Sequence, residues 1–465
     1  MAPLTDITAS GADVAGSLPD ATPSRRGHRG AILHFLSDPG AQSDPSSFEF
    51  FEDGLLLVEQ GRIAALGPAR ELLPRLPPDL EIIDHGDDIL LPGFIDTHIH
   101  FPQTDVIGSG GRNLLEWLEN HTFPAERAFS DVDYGRATAH FFLDELVRNG
   151  TTTALVFCTV HKASVEAFFQ AAAQRGMRMI AGKVLMDRNC PDYLRETPSV
   201  GEQESRELLE KWHGHERLQY AITPRFAATS SPAQLESAGR LANDFPDACI
   251  QSHVAETRDE VDWVKRLFPD ARSYLDVYDS YGLVRNRSVY AHCIYLDSTD
   301  RLRMAQSGAA AAFCPSSNLY LGSGLFDIAA TDSAGLQFSI ATDVGGGNSF
   351  SMLRTLGDAY KVAQLSGQSL PPLRAFYLAT LGASLALGLE QRVGSFRIGA
   401  EADFIRLDLK ATELIARRTA QSRTLAEKLL VLMGLADDRA VSRTYVLGRQ
   451  VHTTARARAT GRDTR

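Results

Sequence analysis

Hydrophobic positions change their spacing twice along this chain. Between residues 29 and 92 they fall into short runs broken by Gly and Pro, among them AILHFL, FEFFEDGLLLVEQGRIAAL and EIIDHGDDILL. Such runs, bounded by turn residues, read as β-strands. From 93 to 388, short apolar runs alternate with stretches of helical period such as SRELLEKWHG, SPAQLESAGRLANDF and RDEVDWVKRLF. Beyond 389 the strand pattern returns in GSFRIGAEADFIRLD and RTYVLGRQVHTTA. Strand-rich ends around an alternating middle predict a small β-sandwich domain from 29–92 and 389–453, with a β/α domain over 93–388 inserted in it. Residues 1–28 and 454–465 are poor in large apolar side chains, so a disordered N-terminal tail and a flexible C-terminal tail are expected.

The middle resolves into eight candidate strands. They are FIDTHIH (94–100), TTALVF (152–157), RMIAGKVLMD (178–187), YAITPRF (220–226), CIQSHVAE (249–256), SVYAHCIY (288–295), AAAFCPSS (310–317) and FSIATDVGG (338–346). Each is apolar almost throughout, as parallel strands covered by helices must be. Eight strand–helix repeats predict an α/β fold of the (β/α)8, TIM-like barrel type. The rival, an open doubly wound sheet, lacks its GxGxxG after a first strand.

Composition narrows the function classes. The 465 residues are 44% hydrophobic and 23% charged, ordinary for a globular protein and enough to bury a large core without disulfides. The 47 basic and 58 acidic residues give a net charge of −11, a poor match to nucleic acid or an anionic membrane. Cys158, Cys190, Cys249, Cys293 and Cys314 are odd in number and include no CxxC pair, which fits a reducing, cytoplasmic setting. No basic region precedes an apolar run at the start, and runs such as ILLPGFI are too short to span a bilayer.

The chemistry collects at the predicted carboxyl ends of the strands, where barrel enzymes place their sites. His98 and His100 are two apart on one strand, so both side chains face the same way. His253 and His292 sit late in the fifth and sixth strands, and Asp343 follows SIAT in the eighth. Alone, HxH is a weak signal, a single histidine closing a strand is usually a packed core residue, and a lone aspartate is usually a cap. Closing a barrel brings all five around one mouth. Imidazole and carboxylate donors without thiolate suit Zn²⁺ or Fe²⁺. The other nine histidines read as surface or structural residues.

PGFIDTHIH, HVAE, AHC and ATD, with a split β domain ending in GSFRIGAEADFIRLD, resemble the metal-dependent amidohydrolase superfamily. FIDTHIHFPQ, LLEWLENHTFPAE, TPRFA, HVAET, FCPSSNLYLGSGLFD and TDVGGGNSFSMLRT resemble, within it, the guanine deaminase branch. The likeness runs from about Arg29 to Val451. It implies one Zn²⁺ per chain, with Fe²⁺ as the alternative, held by His98, His100, His253, His292 and Asp343. No lysine ends YAITPRF to bridge a second metal, and Lys183 on the third strand reads as a salt-bridged residue. The HxE…PCxxC pattern of the cytidine-deaminase zinc site is absent too.

The resemblance implies hydrolysis of guanine to xanthine and ammonia by a zinc-bound hydroxide. Glu256 is then the proton shuttle to ring N3, Asp343 a ligand that also accepts the water proton, and His292 a ligand that adds electrostatic stabilisation. Arg225, at the end of the fourth strand, is the expected partner of guanine O6 and N7, since an arginine fork matches two acceptors. Gln103 suits the N1–N3 side, and Phe226 and Trp117 wall or stack on the base. Asn318 and the LGSG stretch are expected as a loop over the pocket. The substrate is thus a small purine base, with no nucleic acid or membrane partner, and the family likeness implies a homodimer. Two other readings stay open: an amidohydrolase acting on another purine, a pterin or a triazine (deaminase or chlorohydrolase), and a catalytically inactive scaffold.

Overall fold

The computed structural model describes residues 25–111 and 113–459. The chain opens with β1 (Arg25–Phe35), β2 (Phe48–Glu59), β3 (Arg62–Pro68) and β4 (Ile82–Pro92). Then come β5 (Phe94–His100), β6 (Thr151–Phe157), β7 (Arg178–Gly182), β8 (Val184–Leu185) and β9 (Gln219–Pro224). They are followed by β10 (Cys249–Val254), β11 (Ser288–His292), β12 (Ala310–Phe313) and β13 (Phe338–Ile340). The last strands are β14 (Phe404–Leu407), β15 (Val441–Val446) and β16 (Arg449–Thr453).

Strands β5 to β13 form the predicted TIM-like barrel, in the parallel order β5-β6-β7-β9-β10-β11-β12-β13, with β8 beside β9. Between β13 and β5 the seam is held by Asp343 N–H to the His98 carbonyl (2.9 Å) and His100 N–H to the Val344 carbonyl (2.8 Å). The Thr97 and Ser339 hydroxyls meet across it at 2.7 Å. Ile95, Leu155, Ile180 and Val289 pack together with the small Ala221, Ala291 and Ala312 in one core cluster, so side chains fill the barrel. Outer helices bury one apolar stripe each. Val132–Arg148, for example, starts on an Asp131 cap and turns Phe142, Leu143 and Leu146 inward.

Six predicted barrel strands end earlier than expected, the third and fourth for visible reasons. The third breaks at Lys183, whose N–H goes to the Tyr220 side-chain hydroxyl (3.1 Å) instead of a backbone carbonyl of a neighbouring strand. The fourth ends its regular run at Pro224, beyond which Arg225 N–H still reaches the Leu185 carbonyl and Phe226 bridges to His253.

The smaller domain is one seven-stranded mixed sheet, in place of the expected sandwich of two sheets. Its order is β16-β15-β14-β4-β1-β2-β3. β1 runs antiparallel to β2 and parallel to β4, with register shifts between Arg29 and Ile32. A bulge of this kind lets one long strand keep both neighbours. The domain limits also move. Arg25–His28, expected in the tail, open β1, pairing with β2 from Arg25 and burying Gly27 and His28. Ala455–Ala459, expected in the C-terminal tail, is helical and buries Ala457. The remaining tail predictions, for 1–24 and 460–465, lie outside the described residues. Helices Glu413–Thr419 and Leu425–Leu435 interrupt the strands expected over 389–453, the second opened by a Thr424–Glu427 capping box.

A buried charge network locks the two domains. Arg178, at the foot of β7, donates from Nε to Glu401 (2.8 Å), and Arg217 reaches the same carboxylate at 2.7 Å and pairs with Asp403. Among the described residues, no helix is long and apolar enough to cross a membrane.

Candidate active site

The sheet delivers His98 and His100 from β5, His253 from β10 and His292 from β11 to one end of the barrel. Asp343 arrives on the loop after β13. The backbone leaves the strands abruptly: His292 has φ 71°, Asp343 φ 51° and Ala255 φ 52°, the left-handed region that side chains other than glycine seldom occupy. Such turns cluster where structure is fixed for function.

His100 Nε2 lies 3.2 Å from both His98 Nε2 and His253 Nε2. Asp343 Oδ1 is 3.2 Å from His98 Nε2 and 3.3 Å from His100 Nε2, and its Oδ2 is 3.8 Å from His292 Nε2. Donor atoms of His98, His100, His253 and Asp343 all fall within 4.8 Å of one another, and His98, His292, Cys314 and Asp343 form a second, overlapping group. Cys314 was not anticipated from sequence. Burial and then the Asp343 charge hold its thiol well above the usual range, and it donates to the Ala312 carbonyl.

Tautomers test whether a cation fits. His253 Nδ1 is 2.6 Å from the Arg225 carbonyl and His292 Nδ1 is 2.9 Å from Asn318 Oδ1, so each ring donates its Nδ1 proton outward. That leaves Nε2 lone pairs pointing inward, the form in which imidazole binds metal. Burial pushes His100 down to about 3, against the pull of Asp343, and holds His253 well below its ordinary value. Burial would raise Asp343, but His98 and the bonds from both β5 imidazoles keep it well below the carboxylate range. Inward-facing imidazole nitrogens around one carboxylate are the donor set of a divalent cation.

Glu256 stands beside this cage, its Oε2 3.3 Å from His292 Nε2. Burial, and then the Asp343 charge, push its carboxyl up to about 8 while the Ser323 hydroxyl, 2.7 Å away, works the other way. The cap of helix Arg258–Leu267 is not Glu256 but Thr257, paired with Glu260 in a capping box. Glu260 also accepts the Glu256 N–H at 2.9 Å, which fixes the backbone that carries the acid.

A pocket opens onto the cage. His100, His253, His292, Asp343 and Glu256 form its polar floor, and Gln103, Arg225, Phe226, Trp117 and Leu321 line the rest. All the residues singled out from the sequence as ligands, acid or base contacts therefore meet here, His98 at the back of the cage. Gln103 Oε1 accepts from Gly345 N–H (3.1 Å), so its amide N–H groups are what it chiefly offers a ligand. Trp117 is anchored by Nε1–H to Ser109 (2.9 Å). Asn318 departs from expectation: it belongs to the short helix Pro315–Tyr320 and holds His292, while the pocket loop proper is Leu321–Ser323. Lys183 is buried against Glu196 and Glu204, away from the cage, as a structural ion pair.

Glu126 and Glu260 have no role in the reading of the sequence, and Ser323 enters it only as part of the LGSG loop. Glu126 accepts from Arg225 Nη1 through both carboxylate oxygens, each at 2.8 Å. Glu260 had a legible signal in Thr257-x-x-Glu260, the capping-box spacing. Ser323 had none of its own.

Residues 89–451 match the model of the amidohydrolase family. The chain is 49% identical over 407 residues to guanine deaminase of Escherichia coli strain K12, covering 88% of this chain and 93% of that one. The solved structure of E. coli guanine deaminase superposes with a TM-score of 0.90 at 46% identity, over 93% of this chain and all of the other. That of guanine deaminase from C. acetobutylicum with guanine in its active site superposes at 0.83 and 29% identity, over 92% of this chain and all of the other. The chain belongs to the amidohydrolase family, within its guanine deaminase branch.

Proposed function

We propose that this chain hydrolyses guanine to xanthine and ammonia at the cavity floored by the histidine cage. The observation that carries the reading is that Arg225 and Gln103 line the same cavity as the cage and Glu256. Two acceptors of the purine edge and the carbon to be attacked can then be held at once.

His98, His100, His253, His292 and Asp343 would hold one divalent cation, Zn²⁺ by the hardness of the donors, with Fe²⁺ the alternative. When bound, such a cation supplies Lewis-acid activation of water. Arg225 offers guanidinium N–H groups to O6 and N7, and Gln103 offers its amide N–H to the acceptor edge. Phe226 and Trp117 flank the ring and exclude solvent.

Glu256 is the group placed to bring a proton into the cycle, because burial and the neighbouring Asp343 charge raise its carboxyl above the ordinary carboxylate range. It gives its proton to N3 as the water oxygen bonds to C2, which spares the ring an unfavourable negative charge. Asp343 accepts the proton that water gives up and hands it to the exocyclic amine. The C2–N bond then breaks, ammonia leaves, and the C2 hydroxyl proton returns to Glu256 as the carbonyl forms. His292 faces both carboxylates and stabilises charge at the attacked centre.

The five cysteines, all without disulfides, support a reducing, cytoplasmic setting. The homodimer rests on the family likeness alone. Incubating the purified protein with guanine, and following absorbance and ammonia release, tests the reaction. Xanthine and ammonia in equal amounts are expected; preferential turnover of adenine, a pterin or a triazine would overturn the assignment.

A further inference from the structure

Arg225 is almost entirely buried, 3% exposed, yet lines the cavity, and Glu126 behind it is 1% exposed and does not. Both Glu126 oxygens take the same Nη1 at 2.8 Å, and the Phe123 ring lies 5.2 Å from the guanidinium carbon. Glu126 and Phe123 share the helix Phe123–Arg127, directly after the segment that supplies Leu114, Trp117 and Leu118 to the cavity wall. The pair thus ties that wall to the end of β9.

A buried guanidinium needs a counter-charge. Were Arg225 unpaired, the cavity would favour a ligand that brings the missing negative charge. Guanine is neutral and brings none. Xanthine, with a carbonyl at C2 in place of the amine, gives up a ring proton more readily than guanine does. The reaction therefore converts a neutral ligand into one that is partly anionic under mildly alkaline conditions.

We infer that Glu126 is a positioning and charge-balancing residue for Arg225, aiming its donors and cancelling its charge so that the pocket takes the neutral base and releases the anionic product. This inference rests on the proposed guanine reaction and deepens it. Glu126 touches neither substrate nor the cage; it acts through Arg225.

The test is competitive inhibition of the metal-loaded enzyme by xanthine and by hypoxanthine, which stays neutral, at mildly alkaline pH. Glu126→Gln should tighten xanthine relative to hypoxanthine by about tenfold. Glu126→Asp, which keeps the charge and shortens the reach, should leave that ratio near the unmodified value while raising KM for guanine. If Glu126→Gln does not fold, the same charge step is read in the Arg225→Gln background. There the single variant should disfavour xanthine and the double variant Arg225→Gln/Glu126→Gln should restore the original ratio. Equal changes for both inhibitors, in either background, would overturn the inference and leave Glu126 a mere prop. Guanine turnover by the unmodified enzyme, measured in the same assay, tests the underlying reaction separately.

Discussion

Asn318 Oδ1 stands 2.9 Å from His292 Nδ1, and this one bond decides which nitrogen of His292 faces Asp343 and Glu256. Without an acceptor at that position the ring is free to turn or to exchange its tautomer. Asn318→Leu should lower both bound metal and kcat by about 10- to 100-fold, the usual effect of removing a group that orients a ligand. Asn318→Asp keeps the acceptor and should retain most of both. Metal analysis and steady-state kinetics on the two variants read the difference, and equal losses would remove the tautomer from the account.

Asp343 shares Oδ1 between His98 and His100 at 3.2 and 3.3 Å, so the cage and the proposed proton relay meet on one carboxylate. Asp343→Ala and His98→Ala should each reduce kcat at least about a thousandfold, no less than the usual effect of losing a single acid or base. Both sit at the open end of the barrel, so circular dichroism and thermal melting should show folded proteins. Near-normal turnover in a metal-loaded Asp343→Ala protein would exclude the relay.

Much of this site could be read in the sequence because barrel topology converts strand order into geometry. Once His98, His253, His292 and Asp343 are assigned to strand ends, closure brings them together without any knowledge of distances. The rest depends on contacts that no periodicity encodes. Glu126 is 99 residues from Arg225 and Ser323 is 67 from Glu256. Both lie in segments singled out from the sequence, LLEWLENHTFPAE and LGSG, but nothing local marks their partners. Gln103 was legible as a pocket residue but not as an amide whose carbonyl is taken by Gly345. The small domain misled for the opposite reason, since short strands look alike whether they pair in one sheet or two. Arg25–His28 read as solvated because charged and small residues hide the strand that buries His28.

The interdomain network makes a stability prediction separate from chemistry. Glu401 is the shared acceptor of Arg178 and Arg217, and the three are nearly fully buried. Glu401→Ala leaves two guanidiniums facing one another with only Asp403 to compensate, and should cost about 3–5 kcal/mol of unfolding free energy. Denaturant titration measures it. The kcat of the folded fraction should be unchanged, because the network lies at the foot of β7, away from the cage.

Acid should weaken the small domain through His28. Its Nδ1 lies 3.1 Å from His85 Nε2, between Phe404 and Tyr445, and burial, aided by Arg26 and Arg443, pushes His28 down to about 3. A histidine depressed in the folded state stays neutral while its unfolded counterpart, near 6.5, takes up a proton. The unfolded state therefore binds more protons between these values, and stability falls as pH drops from 6.5 toward 3. At pH 5 this amounts to about 2 kcal/mol for one such group. His28→Phe should flatten the pH dependence of unfolding by that amount between pH 6.5 and 5, and an unchanged slope would contradict it.

The most direct test of the account is a titration of metal-free protein with Zn²⁺ while xanthine formation from guanine is followed. Activity should be absent at the start, rise linearly and break at one equivalent per chain. Full turnover before any metal is added, or a break at two equivalents, would contradict a single cation held by four imidazoles and Asp343.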